Sequence, residues 1–148
     1  MYGNWLANGV VVVATIAVVC LCVLVHYEGL NLLARGLANR HDRQSRRKVL
    51  YGIFAVLGLH VLEIWLFGTT YWALLLWSET GHVISAGRTG FLDTIYLSAM
   101  TYTTVGFGDL APVGPIRFLA GTEALTGFVM ITWSASFTFL EMERFWRR

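Results

Sequence analysis

Charge is what this sequence has least of. Only 14% of its 148 residues are Asp, Glu, Lys or Arg, against 56% apolar. Mean hydropathy is +0.60. Long uncharged runs at that average point away from a soluble domain and toward an integral membrane protein. A net charge of +2 is too small to argue for nucleic acid as a partner. Cysteine is scarce as well: Cys20 and Cys22, both in the first apolar run. Two apart, they face different sides of a helix and make neither a disulfide nor a metal pair plausible. Little sequence is left between the apolar runs for a soluble module, so the chain reads as one compact unit.

What is present is three apolar runs. Gly9 to Tyr27 is the first, and its nineteen residues span about 28 Å as a helix, close to a hydrocarbon core of about 30 Å. A cleaved signal peptide would want a positive start and a small-residue cleavage motif, neither of which is here, so the run is read as a retained span. Val49 to Trp77 is the second run, longer than a perpendicular span needs. It is expected to tilt, to project, or to loosen near Gly68-Thr69-Thr70. Its Trp65, Tyr71, Trp72 and Trp77 suit an outer interface. The third run begins near Pro115 and reaches about residue 143.

The few cations are segregated. Nine of the eleven lie between Arg35 and Lys48 or at Arg144, Arg147 and Arg148; Arg88 and Arg117 are the other two. With three spans, this bias places the N-terminus outside and the C-terminus in the cytoplasm of a plasma-membrane protein. Residues 34–48 become a basic cytoplasmic loop. Arg40, Arg43 and Arg46 recur at every third position, but His41, Asp42, Gln44 and Ser45 between them are polar. That pattern fits a solvated or lipid-headgroup segment and predicts no voltage sensor.

Inside the second run sit two polar residues, His60 and Glu63, three apart on one helical face. A charged carboxylate at that depth costs on the order of 3 kcal/mol even on lenient insertion scales. Glu63 must therefore be protonated, paired or turned toward protein. Two readings stand: a gating or proton-sensing site, and a plain helix-to-helix hydrogen bond. The bland one is favoured.

Between the second and third runs lies Thr101-Tyr102-Thr103-Thr104-Val105-Gly106-Phe107-Gly108-Asp109. It is too rich in Gly for a good strand and a poor helix. The part from Thr104 to Asp109 resembles the selectivity-filter signature of the potassium channel family, with Phe107 where many members carry Tyr. The resemblance covers roughly Phe91 to Arg144. Potassium channels are the type case of carbonyl-lined filters, and the likeness implies the following. The carbonyls of Thr104, Val105, Gly106 and Phe107 replace the hydration shell of potassium, with the Thr104 hydroxyl as an inner ring. Thr103, Gly108 and Asp109 support the filter, and Val105 and Phe107 point outward and brace it. Gly106 and Gly108 permit backbone angles that a Cβ opposes. One chain supplies one loop, so four copies form a homotetramer around one axis.

The same likeness leaves residues 1–33 as a peripheral first transmembrane helix and divides the pore domain, residues 49–148, into an outer helix over 49–77, a turret over 78–90, a pore helix over 91–102, the filter over 103–109 and an inner helix over 115–143. Where some relatives place two tryptophans this chain has Tyr96 and Leu97, and where some keep a buried acid behind the filter it has Met100, so fewer bracing bonds are expected. Gly127 reads equally as a gating hinge or as a packing position. Thr132 and Ser136 share one face and are expected to line the wet cavity, although both residue types also bond back to their own helix. Glu123 is expected to brace the pore helix or the filter surroundings.

The fold expected is an all-α membrane protein of three transmembrane helices plus a re-entrant pore helix and filter loop. The function expected is passive, potassium-selective conduction without enzymatic chemistry, organic cofactor or organic substrate, potassium being the permeant ligand and membrane lipid the surroundings. A less selective monovalent cation channel is the nearest alternative. From a different class, a haem-binding redox protein would use His26 and His60 on two spans, but leaves the Gly-rich stretch unexplained.

Overall fold

A computed structural model describes residues 4–38, 45–85, 87 and 89–146, with the side chains of residues 45, 46 and 144–146 outside the description. The chain is built from α1 (Trp5–Ala38), α2 (Ser45–Leu75), a 3-10 turn (Ser78–Thr80), β1 (His82–Ile84), α3 (Phe91–Tyr102), β2 (Ala111–Val113) and α4 (Arg117–Trp146). The fold is all-α, with one pair of three-residue strands. Three helices, α1, α2 and α4, are long and apolar enough to cross a membrane.

The first helix is longer than its apolar run. It extends through Ala38 because its buried face continues past the charged residues. That face is Ala7, Val11, Thr15, Val18, Cys22, His26, Leu30, Leu33 and Leu37, spaced by three and four. Cys20 lies off it and is exposed. The expected basic loop is mostly helix ends: Arg35 belongs to α1, and Arg47 and Lys48 to α2. Residues 39–44, with Arg40 and Arg43, lie outside the described residues, as do Arg88, Arg147 and Arg148.

The second helix does not loosen at Gly68; it is continuous to Leu75. Gly68 instead lets α3 come close. A Cβ there would sit 2.8 Å from the Cα of Ile95. On the other side of α3, a Cβ at Gly127 of α4 would run into the carbonyl and ring of Tyr102. The short helix is thus wedged between two long ones at two glycines, and Leu97 and Tyr102 join Phe67, Tyr71, Leu119 and Met130 in one core. Gly127, left open between hinge and packing, is a contact point in this arrangement.

The turret is more ordered than a solvated loop. His82, Val83 and Ile84 pair antiparallel with Val113, Pro112 and Ala111. The buried Thr80 turns its hydroxyl onto the carbonyls of Leu74 and Trp77, 2.6 and 2.8 Å away. Its own carbonyl accepts from the amide of Ile116 at 3.0 Å. The chain leaving α2 and the chain entering α4 are therefore tied at one level, at the two ends of the sequence that carries α3 and residues 103–109.

Candidate ion-conducting site

The segment 103–109 begins where α3 ends. Phe91–Tyr102 is helical because Gly90 and Asp93 close its start: the Gly90 amide donates to Asp93 Oδ2 at 2.7 Å. At the other end Thr103 caps the helix, its amide and hydroxyl both reaching the Ala99 carbonyl, at 3.2 and 2.7 Å.

Beyond Thr103 the backbone alternates. Thr104, Gly106 and Gly108 have φ of 59°, 53° and 82°. Val105 and Phe107 between them are not in the positive-φ region. Successive residues of opposite handedness cancel the curl of a helix and turn the carbonyls of an extended strand toward one side. Glycine takes two of the positive-φ positions at little cost, and Thr104 takes the third. The loop is fastened by few bonds: Thr104 amide to Thr101 carbonyl at 3.0 Å, Gly106 amide to Met100 carbonyl at 3.2 Å, and the Tyr96 hydroxyl donating to Asp109 Oδ1 at 3.1 Å. Every residue from Thr103 to Asp109 is exposed in the single chain. Val105 is 55% and Phe107 71% exposed, so within one chain they brace nothing.

Behind the loop the structure is different. Glu63 is fully buried. It lies 2.7 Å from Nδ1 of His26 on α1 and 3.1 Å from Nδ1 of His60, one turn away on α2. It also accepts a short hydrogen bond from the hydroxyl of Tyr102, the last residue of α3. His26 faces α4 with its other nitrogen, Nε2, 3.3 Å from Ser134 Oγ, and its ring packs 5.1 Å from that of Trp133. One carboxylate thus links α1, α2 and α3 directly and α4 through His26. The bland expectation for Glu63 understated this network, and the first helix, set aside as peripheral, supplies one of its ligands.

A second buried carboxylate holds the same short helix one turn earlier. Glu123 of α4 accepts from Tyr71 at 2.8 Å and bonds the hydroxyl of Ser98 on α3. Ser98 also lies 2.8 Å from the carbonyl of Ile64. Tyr71 is fully buried rather than set at an outer interface. Ser98 and Tyr102 are four apart, on one face of α3. Two acids thus reach α3 from the neighbouring long helices, at Ser98 and at Tyr102.

Among the described residues, His26, His60 and Glu63 form the group able to hold a metal, with ligand atoms within 4.8 Å of one another. Both histidines turn Nδ1 onto the same carboxylate, and their rings lie 5.5 Å apart at 34°. That arrangement leaves no flat slot for a macrocycle between them, so the haem alternative has no geometry to stand on. Thr103 to Gly108 offer only carbonyl and hydroxyl oxygens and Asp109 adds a carboxylate, all donors that suit a hard cation. Thr132 and Ser136 are exposed on α4, and each bonds back to its own helix, Thr132 to the carbonyls of Phe128 and Val129 at 2.9 Å and Ser136 to that of Thr132 at 3.0 Å.

Comparison with known proteins decides the family. A family model described as an ion channel matches residues 48–144. The chain belongs to the ion channel family. The likeness to potassium channels drawn from the filter residues holds at family level. An inward rectifier potassium channel, Kirbac3.1 of Paramagnetospirillum magnetotacticum, is 33% identical over 94 residues, 62% of this chain and 30% of that one. Protein LctB of Bacillus caldotenax is 50% identical over 38 residues, and that of Geobacillus stearothermophilus 53% identical over 38 residues. Each of those matches takes in 26% of this chain and 28% of the LctB protein. The chain therefore spans less than a third of the length of these relatives. No solved structure matched it. An ion channel with membrane-crossing helices is a membrane protein, and it is not an enzyme.

Proposed function

We propose that this ion channel is potassium-selective and conducts potassium passively through a homotetrameric pore. The observation that carries this is the alternation at Thr104, Val105, Gly106, Phe107 and Gly108, with positive φ at every second residue. An alkali cation sheds water only where oxygens replace it at similar distance and number. The carbonyls of Thr104, Val105, Gly106 and Phe107 are the proposed coordinating atoms, with Thr103, Gly108 and Asp109 in support.

The tetramer follows from what one chain leaves undone. A loop with every residue from 103 to 109 exposed is tolerable at membrane depth only if protein or a water-filled pore surrounds it. Neighbouring copies would cover Val105 and Phe107, and one loop per chain calls for four chains. Thr132 and Ser136 would line the cavity below, with hydroxyls already satisfied by their own helix. The pore helix would aim the partial negative charge of its C-terminal end at the cavity and favour a cation there. In this reading the chain sits in the plasma membrane with its N-terminus outside and its C-terminus in the cytoplasm. It contacts lipid and potassium, and works without organic cofactor, organic substrate or nucleic acid.

Reversal potentials of the purified, reconstituted protein in opposed potassium and sodium gradients test this. A reversal potential close to the potassium equilibrium value is expected. One near zero would replace the proposal with a less selective cation channel.

A further inference from the structure

The polar network around Glu63 is larger than a helix-to-helix hydrogen bond requires, and it is aimed at one place. Tyr102 is the last residue of the pore helix, two positions before Thr104. Its hydroxyl is held by Glu63 and lies 3.1 Å from Nδ1 of His60. Its carbonyl and ring abut the position where Gly127 leaves room. Glu63 in turn is oriented by His26, which is anchored between Ser134 and Trp133 of α4. No buried side-chain polar atom among the described residues lacks a partner, so the network is fully paired, the condition under which a buried polar network rigidifies its surroundings.

We propose that Glu63 is a positioning residue for the filter: it fixes the end of the pore helix through Tyr102 and takes its own orientation from His26, which makes the first helix a working part of the pore. The family match begins at residue 48, so α1 lies outside it, and His26 reaches the filter's support from beyond the matched segment. The inference rests on the filter assignment proposed above. Ion coordination by carbonyls depends on their placement, and the register of Thr104 is inherited from Tyr102 through two peptide units. A rotation or slide of that helix end moves the innermost oxygen rings first. Glu123 holds the same helix at Ser98, one turn earlier, and so sets the axis about which such a movement would occur.

The experiment uses the full chain in liposomes of mixed phosphatidylethanolamine and phosphatidylglycerol. Tyr102→Phe removes the hydroxyl and keeps the ring; His26→Gln keeps a polar group on α1 and removes the imidazole. Thr15→Val on the same buried face of α1 deletes a hydroxyl that only bonds back to Val11 at 2.7 Å, and serves as the packing control. Oligomeric state, thermal midpoint and the potassium-to-sodium permeability ratio are measured for each. Tyr102→Phe and His26→Gln are each expected to lower the permeability ratio by about 2- to 30-fold, the usual range of long-range coupling. The double variant should lose little more than the worse single one, because both act through Glu63. Thr15→Val should leave the ratio unchanged whatever it does to the thermal midpoint. The proposal is overturned if both variants assemble and keep the parental ratio, or if their effects simply add. Should Tyr102→Phe fail to assemble, His26→Gln alone decides by the same criterion, and a ratio unchanged there also overturns it. A parent protein that does not discriminate potassium from sodium would instead overturn the filter assignment itself.

Discussion

The filter loop and the cluster behind it are built on opposite terms. The loop from Thr103 to Asp109 is exposed throughout, strained by positive φ at Thr104, and fastened by a few hydrogen bonds. The cluster of His26, His60, Glu63, Tyr102 and Ser134 is buried or nearly so, and joins four helices through satisfied polar groups. One chain completes its scaffold and leaves its site unfinished. A site whose atoms must stay available to an ion cannot also bond them internally, so rigidity has to come from the layer behind.

The largest effect is expected where the unfinished region has no substitute. Gly106→Ala places a Cβ at φ of 53°, about 1–2 kcal/mol of strain per copy, relieved by turning the peptide away. Repeated in four copies, that corresponds to a loss of at least ~100-fold in rubidium flux, with the fold of the single chain intact because no atom within 4 Å obstructs the added methyl, and with the oligomeric state measured on the same sample. Unchanged flux would erase the distinction between loop and scaffold.

Breaking the finished region should show first in stability. Glu63→Ala leaves two imidazoles and a phenol buried without their shared acceptor, at a cost of about 3–5 kcal/mol for a group left behind unpaired. The expected readout is a lower thermal midpoint in detergent and loss of the assembled particle. A smaller change sharpens the comparison. Tyr96→Phe removes the hydroxyl that holds Asp109, an exposed bond worth about 0.5–1.5 kcal/mol. The thermal midpoint should barely move, whereas decay of current during sustained conduction should quicken, because only the loop loses a tie.

These two regions also differ in how far the sequence announced them. The loop was legible because its chemistry is local: alternating glycines within Thr104–Asp109 carry their backbone consequences wherever the chain goes. The helix over 91–102 came from the family likeness, and α3 spans the same residues. The cluster was not, because Glu63 and His26 are 37 residues apart and α1 is apolar nearly all round, which hides its working face. A signal was available in Thr15, Cys22 and His26, polar or small residues at turn spacing on one stripe. Tyr71 was misjudged because aromatic belts describe lipid-facing side chains, and nothing local shows that Tyr71 faces Glu123. The turret strands escaped notice because three-residue pairings depend on a partner, Ala111–Val113, that lies beyond the filter.

In the proposed channel, four copies of one alternating loop surround a single row of ions. A density map of the purified particle in potassium-rich buffer tests it most directly. Four chains about one axis are predicted, with on-axis density between the levels of the carbonyls of Thr104, Val105, Gly106 and Phe107. A particle of another symmetry, or a four-fold one with no ion density at those levels, would contradict the account.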